Sequence, residues 1–334
     1  MTPHRSRHDH YPRTDSARVR SLREAATGLA GAWRDRDAAL GGLTAALDAA
    51  AALTPDKAVG HLLPWLADTG WLHSRLREAA ALLAADDFAR PPLRIVGGGG
   101  GPGGLILAES GAVRLSLQLL PFEAPAASGT ALFVPGRAAI RVLAAGGARI
   151  AFHHAPLSAA EEAGAFTAAG AAPCRSDPPR PLAAGELICL DTARTSFTIA
   201  DASGDVLLLE LAVQPPSPLP MRAYDIASGR LAHVSASRRD SSFRQMALAL
   251  LRIFGRRDAA PLFAEAARTE DFAARWTAMR DLVALDATAA HPLLAQMAAH
   301  DPHPEVRRAA AATLALYSTP PLQRRGSETY ALAR

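Results

Sequence analysis

The 334-residue sequence has only two cysteines, Cys174 and Cys189, and they lie too far apart to form a C-x-x-C pair. Two isolated cysteines do not predict a zinc site, and they are typical of proteins in a reducing compartment. We expect Cys189 on a buried strand and Cys174 in a loop.

The first residues are polar and basic, and no apolar run reaches the ~18 residues of a membrane-spanning helix. These features predict a cytoplasmic protein without a signal peptide or a membrane partner.

Lysine is nearly absent, since Lys57 is the only one and all other cationic residues besides histidine are arginines. Lysine and arginine together number 36 against 32 aspartates and glutamates, so the formal net charge is +4. An excess of Arg, Ala and Gly is also typical of GC-rich coding sequences. The basic charge alone therefore does not indicate a nucleic-acid partner.

Complete catalytic motifs are missing as well. The sequence has no G-x-S-x-G, and neither cysteine has an evident histidine partner. The run Gly97–Gly104 matches a dinucleotide fingerprint by letters alone, but strand-like residues follow it where that fingerprint requires a helix. We therefore expect a glycine-rich turn there. Whether the protein is an enzyme stays open at this stage, with the missing motifs weighing against it.

The chain begins with a polar tail, predicted over residues 1–15, and is then predicted to be helical over residues 16–90. Trp33, Leu40 and Leu43 belong to a series of apolar residues at three-, four- and seven-residue spacing, which is the spacing of one helix face. Ser16 is suited to cap the first helix. Pro91 and Pro92 end the region because proline cannot continue a helix.

Residues 91–220 instead carry short aliphatic runs separated by glycine and proline, a pattern typical of an all-β sandwich or barrel. We predict an α+β protein: N-terminal helices, a central barrel, a connector at 221–240, a helical stack at 241–318 and a tail at 319–334. The predicted strands are Leu93–Val96, Leu105–Ala108, Val113–Leu120, Ala131–Val134, Ala139–Leu143, Ala148–Phe152, Leu187–Leu190, Ser196–Ile199 and Val206–Val213.

A repeat runs through the C-terminal helical region, where Leu250, Leu282 and Leu314 are evenly spaced (282 − 250 = 32 and 314 − 282 = 32). The segment His300–Leu316, HDPHPEVRRAAAATLAL, resembles the HEAT repeat, with Asp-Pro before the helix and then Val-Arg-Arg and alanines. The resemblance implies stacked helical hairpins, each of which buries its apolar face only against a neighbour.

Such a stack implies a surface that binds a protein partner. A solvated basic face is the alternative interpretation of its arginines. A nucleic-acid-binding repeat protein is a further alternative, which predicts an affinity that falls steeply with salt. The candidate partner surface consists of Arg244, Arg275, Arg307 and Arg308.

The stretch Leu182–Val213, LAAGELICLDTARTSFTIADASGDVLLLELAV, resembles the second conserved motif of cupins, in particular of the cysteine-dioxygenase-like branch. Gly185 and Glu186 match the opening of the strand in that motif. Upstream, Leu115–Gly146 resembles the strand–loop–strand unit that carries the first motif. The resemblance implies a cupin-like jelly-roll barrel, which in that branch binds non-haem iron through histidines.

The histidines that this resemblance implies are missing. Ser196 stands at the position of the second-motif histidine, and no histidine occurs between His73 and His153, where the first motif requires His-x-His. Non-haem iron needs about three nitrogen or carboxylate ligands. A serine hydroxyl is a poor ligand for such a metal, so we expect a metal-less barrel without a cofactor.

Polar residues remain where the pocket of such a barrel would lie, beside the turn that would carry the missing histidine. Because arginine presents a planar fork to carboxylates, they could bind an anionic ligand. A salt-bridged surface turn is the alternative for the charged residues, and a structural barrel histidine is the alternative for an inward imidazole. The candidate ligand-binding residues are Asp191, Arg194, Ser196, Arg137, Arg141, His153 and His154.

Two classes of function fit this sequence. The first is a non-catalytic adaptor, whose barrel binds a small molecule or peptide and whose repeats bind a protein. The second is a divergent cupin dioxygenase or isomerase, with Fe held by relocated ligands such as His153, His154 and His233. The missing imidazoles favour the first class, and we do not expect a nucleic-acid partner.

Overall fold

The computed structural model of the chain describes residues 16–97, 103–123, 129–236, 239–269 and 271–318, so both predicted tails lie outside the described residues. Helices, antiparallel sheets and then helices follow one another, which confirms the predicted α+β class. The described residues fall into two compact units. The first unit takes in those within Met1–Pro156, Cys174–Pro216 and Asp225–Gly229, and the second those within Leu157–Pro173, Ser217–Tyr224 and Arg230–Arg334.

Four helices open the first unit, and their leucines pack on one face of a β-sheet. Leu47, Leu62 and Leu72 are buried in one cluster with Leu115 and Leu211 of the strands. Leu40, predicted on the same apolar face, is fully exposed because the first helix ends two residues before it. The helices are α1 (Ser16–Ala38), α2 (Leu43–Ala51), α3 (Pro55–Ala67) and α4 (Gly70–Ala85).

All nine predicted strands form in the first unit, together with two short ones that were not predicted. The eleven strands described in this unit are β1 (Arg94–Gly97), β2 (Gly103–Ser110), β3 (Val113–Leu120), β4 (Thr130–Phe133), β5 (Arg137–Ala144), β6 (Arg149–His154), β7 (Arg175–Ser176), β8 (Arg180–Pro181), β9 (Leu187–Asp191), β10 (Thr195–Ala200) and β11 (Val206–Val213).

Ten of these strands form two antiparallel sheets. The first has the order β1-β2-β3-β11-β5-β9, and in the second β6 pairs with β10, β7 and β8. Strand side chains alternate between faces. Odd-numbered residues of β11 such as Leu209 and Leu211 therefore pack on the helices, whereas Leu208 packs in a second cluster with Ile140 and Ile150. The β-region thus has one apolar layer under the helices and another between its sheets.

Cys174 lies in a loop and Cys189 on a strand, as predicted, but the side chain of Cys189 is exposed and that of Cys174 is buried. Cys189 does lie on a strand, β9, but its neighbours Ile188 and Leu190 point into the core between the sheets. Alternation along the strand then turns Cys189 outward.

The second unit contains a β-hairpin inside the segment predicted as a connector. Strands β12 (Met221–Asp225) and β13 (Leu231–Ser235) pair antiparallel. The pattern was missed because the fully buried residues of β12 are Arg222 and Tyr224 rather than aliphatic ones. A strand is usually recognised in a sequence by the alternation of apolar and polar residues, and a buried arginine breaks that pattern.

Five helices complete the described part of the second unit. Asp271 and Asp286 cap two of them by accepting the backbone N–H of Ala274 and Ala289. Their core holds Phe263, Leu282 and Leu294 among other buried residues. The helices are α5 (Arg239–Ile253), α6 (Ala260–Thr269), α7 (Phe272–Leu285), α8 (Ala287–His300) and α9 (Pro304–Ser318). In the described ranges, none of the helices combines the length and apolar character that a membrane span requires.

Candidate functional site

Three of the predicted ligand-binding residues meet at one end of the β5–β9 ladder. Asp191 accepts a hydrogen bond from Nη1 of Arg194 at 2.9 Å and lies 2.9 Å from Nη1 of Arg137, its register partner. Arg137 Nε also donates to Asp56 at 2.6 Å. The charges are satisfied by one another, and ion pairs near the surface contribute about 0–1 kcal/mol each. The arrangement is a surface ion-pair network, and a ligand role for it stays a prediction.

Arg141 lies at the other end of the same ladder, where its register partner is Leu187. Its guanidinium is close to Gly185, whose φ of +83° lies in the left-handed region that favours glycine. A Cβ built on Gly185 would lie 3.8 Å from Nη2 of Arg141. Arg141 is therefore separate from the network around Asp191.

Ser196 and His153 face each other across the second sheet, as register partners on β10 and β6. Their neighbours Phe152 and Phe197 pack into the apolar layer between the sheets. Alternation therefore turns Ser196 and His153 away from that layer. The position predicted to correspond to a metal-binding histidine thus does not point into the space between the sheets.

His153 is held by hydroxyl groups on both sides of its ring. Nδ1 lies 2.7 Å from Oγ of Ser176, and Nε2 lies 2.9 Å from Oγ1 of Thr198. Burial lowers the pKa of His153, and the neighbouring charge of His154 acts in the same direction. A neutral imidazole has one donor and one acceptor, and both are used here. His154 is partly exposed and lies 3.0 Å from Asp177.

These residues do not fit an iron centre. Both nitrogens of His153 are engaged by hydroxyls, and His154 points to the opposite face of its strand. His233, the third alternative ligand, is exposed on β13 of the second unit. In the ranges that the structure describes, no three residues of His, Cys, Asp or Glu are grouped as metal ligands would be.

Most of the side chains that line the space between the two sheets are apolar. Its buried members are Ile140, Val142, Ala148, Ile150, Leu182, Ile188, Leu190, Val206 and Leu208. Phe152, Phe197 and Ile199 pack against them. A layer of this kind acts as the core of a sandwich, in which side chains of two inner faces interdigitate.

One polar cluster on this inner face escaped the sequence prediction. Glu210 is the register partner of Ser116 on β3 and of Ile140 on β5, and Gln118 Nε2 donates to its carboxylate. Burial raises the pKa of Glu210, and the charge of Arg114 opposes that shift. The available signal was a single acidic residue inside the otherwise apolar strand VLLLELAV.

Glu210→Gln is expected to stabilise the protein increasingly as the pH rises. Because the folded-state pKa of Glu210 lies above its ordinary value of 4.5, the folded chain retains a proton that the unfolded chain releases. The free energy of unfolding of the wild type therefore falls as the pH rises above the ordinary pKa, until the pH has passed the folded-state pKa. Near pH 4 the variant should be as stable as the wild type. At high pH its free energy of unfolding should exceed that of the wild type by about 1.4 kcal/mol for each unit by which the folded-state pKa exceeds the unfolded one.

Urea unfolding at several pH values measures this effect, with Glu186→Gln as the control in the same unit. A hydrogen bond from Arg180 is the main cause that lowers the pKa of Glu186, so its ionised form stabilises the fold above the ordinary pKa. Glu186→Gln should therefore become less stable than the wild type as the pH rises. Parallel pH profiles for the two variants would contradict the assignment of Glu210.

The predicted partner arginines do not form one free surface. Arg275 uses Nε and Nη2 to bind both carboxylate oxygens of Asp301, at 3.1 and 2.8 Å. Arg307 donates to the backbone carbonyls of Asp301 and Pro302. Arg244 and Arg308 are exposed. Arg275 thus stabilises the stack internally, whereas the partner role of the others stays a prediction.

An exposed apolar stripe on α5 is the most prominent unexplained feature of the second unit. We define the stripe as Phe243, Met246, Leu250, Ile253 and the adjacent Phe254, which are 67, 55, 46, 66 and 71% exposed. The opposite side of α5 packs inward through Leu248 and Leu251. Leu250, the first leucine of the 32-residue repeat, therefore points outward, unlike the buried Leu282.

A family model described as HEAT repeats matches residues 231–315, about a quarter of the chain, which confirms the HEAT-like prediction for the C-terminal helices. The chain has no match among curated proteins. Its similarity to the Momordica charantia 7S globulin is 8% identity over 40% of this chain and 35% of that chain, with a TM-score of 0.25. The chain thus spans only about a third of that protein.

Two further solved structures carry cupin names. A cupin domain from Bordetella pertussis is 10% identical over 36% of this chain and 99% of that chain, with a TM-score of 0.22. A sugar phosphate isomerase of the cupin superfamily from Silicibacter pomeroyi is 13% identical over 40% of this chain and 77% of that chain, with a TM-score of 0.24. Similarities this distant transfer no activity or ligand to this chain.

Proposed function

We propose that the protein is a non-catalytic adaptor that binds an amphipathic helix of a partner protein on the α5 stripe. The observation that carries the proposal is the spacing of the exposed residues. Phe243, Met246, Leu250 and Ile253 follow at intervals of three, four and three residues. This is the a/d spacing of a coiled-coil seam, into which a second helix packs its own side chains.

The position of the stripe in the stack supports the same interpretation. The end helices of repeat stacks normally carry a polar outer face, because otherwise an apolar face is left in water. The first helix of this stack lacks such a face. Ala247 and Ala249 flank the stripe and would let a partner helix approach closely. Large exposed apolar patches are typical of protein-binding sites.

In this proposal the β-region is a cupin-like barrel without iron, and it acts as a supporting module. The apolar side chains between its sheets favour a structural role over catalysis, and so do the hydrogen bonds that engage both ring nitrogens of His153. The ion-pair network around Asp191 remains the proposed place for an anionic small molecule or peptide. The nucleic-acid alternative is weakened because Arg275 and Arg307 are engaged within the stack.

Affinity capture from extracts of the source cells tests the proposal. The baits are the full chain, the stripe variant Phe243→Gln/Leu250→Gln and the matched variant Leu262→Gln/Leu316→Gln. The matched variant removes two large apolar side chains that are exposed elsewhere on the same unit, at 52 and 77%. We expect a partner that the wild type and the matched variant retain and that the stripe variant loses.

The captured protein is then purified, and its binding to the full chain is measured directly. Equal capture by the stripe variant would refute a role for α5. Sedimentation of the full chain alone serves as a second check. A dimer that dissociates in the stripe variant would assign the stripe to self-association and would contradict the adaptor role.

A further inference from the structure

A cleft of about 510 Å³ opens in the first unit, between the α1–α2 turn and the helices α3 and α4. Trp65 and Trp71 line it, with their rings in an edge-to-face arrangement and centroids 5.8 Å apart. Trp33 lies behind them and is buried. Three of the four tryptophans of the chain are thus gathered at one place, and this size and aromatic character are typical of small-molecule sites.

The floor of the cleft is held by a buried arginine. Arg75 is only 5% exposed, and its Nη2 donates to both carboxylate oxygens of Asp37 at 2.7 Å. Its guanidinium also lies over the rings of Trp33 and Trp71, at 5.0 and 5.4 Å from their centroids. The cation site that these two indoles offer is therefore filled by the protein itself, which argues against a cationic ligand.

The second acidic group of the cleft, Glu78, is also fully engaged. It accepts hydrogen bonds from Nε1 of Trp33 at 2.5 Å, from Arg36 at 3.1 Å and from Ser74 at 3.4 Å. The bond from Trp33 is the main cause that lowers the pKa of Glu78, so the carboxylate is ionised. Little acceptor capacity is left for a ligand donor.

Unused hydrogen-bonding capacity is instead found on Arg36. Its side chain is about half exposed, and one of its N–H groups is used on Glu78. A guanidinium has five N–H donors in a planar fork, which suits a carboxylate. Apolar contact is available from the exposed Leu40 at the rim.

Two glycines shape the backbone of the rim. Gly41 has a φ of +79°, and a Cβ on Gly42 would lie 2.3 Å from the carbonyl oxygen of Asp37. Residues other than glycine are strained or excluded at these two positions. The α1–α2 turn therefore requires glycine at both positions, and Leu40 precedes them at the rim of the cleft.

We propose that this cleft binds a planar aromatic carboxylate, with its ring against Trp65 and Trp71 and its carboxylate on Arg36. The site is independent of the α5 stripe and of the adaptor role.

Titration of the full chain with 2-naphthoate, followed by ligand-observed NMR and calorimetry, tests the site. Arg36→Gln is expected to weaken binding about tenfold or more, because it removes a charge-assisted hydrogen bond. Arg34→Gln is the matched control, since Arg34 is an exposed neighbour on α1 that does not line the cleft. Uncharged 2-naphthalenemethanol should bind about tenfold more weakly than the carboxylate and should be insensitive to Arg36→Gln.

The stripe variant Phe243→Gln/Leu250→Gln separates this site from apolar adsorption on α5. It should bind 2-naphthoate as the wild type does. Trp65→Leu should weaken both probes, with circular dichroism confirming that the helices remain folded. The proposal is overturned if 2-naphthoate does not bind the wild type, if Arg36→Gln binds it equally well, or if binding disappears in the stripe variant.

Discussion

Arg275→Ala is expected to lower the free energy of unfolding of the second unit by about 3–5 kcal/mol. The arginine on α7 and Asp301 before α9 form a two-pronged ion pair, and their side chains are only 13 and 4% exposed. Removing the arginine leaves a buried carboxylate without its counter-charge. Asp301 also accepts the backbone N–H of His303, so the start of α9 would be disturbed as well.

Chemical unfolding combined with hydrogen exchange of the α7 and α9 amides measures this loss. Arg280→Ala is the control, because Arg280 lies on the same helix and is exposed. An exposed substitution of this kind changes stability by about 0.5 kcal/mol or less. If Arg275→Ala were no more destabilising than Arg280→Ala, Arg275 would belong to the partner surface rather than to the interior of the stack.

Phe243→Gln/Leu250→Gln is expected to weaken the purified complex with the captured partner by about 100-fold or more. Burying a phenylalanine or leucine side chain contributes about 1.5–3 kcal/mol, so losing two corresponds to at least two tenfold steps in Kd. Both residues are exposed in the free protein, and glutamine is a good helix former, so folding should be little affected.

Calorimetric titration of the partner into each variant measures this change. The matched variant Leu262→Gln/Leu316→Gln should bind with a Kd within about threefold of that of the wild type. Each of its substitutions lies outside the stripe, and surface substitutions away from a binding site have small effects that simply add. An equal loss of affinity in both variants would show that general surface hydrophobicity, and not the stripe, governs binding.

Much of the fold could be predicted because its local patterns are strong. The strand Val206–Val213 combines an unbroken apolar run with strand length, and its bounds agree with the prediction. The HEAT-like helices were found from the even spacing of their leucines. The hairpin β12–β13 was not found because buried Arg222 and Tyr224 break the apolar alternation.

The candidate site depended on facts that a sequence pattern does not contain. The side of the sheet to which Ser196 points is decided by its pairing with His153, and a shift of one residue would have reversed it. Leu250 and Leu282 share one repeat phase, yet only Leu282 has a neighbouring helix over it. Whether an apolar helix face is core or binding surface is decided by what packs on it.

A photo-crosslinking experiment tests the central claim most directly. Benzoylphenylalanine is placed either at Met246, in the middle of the α5 stripe, or at Arg308, on the basic face of α9, and each protein is irradiated with the purified partner. The account predicts a crosslink from position 246 that maps to one face of a partner helix, and little from position 308. Crosslinking from position 308 alone would contradict it.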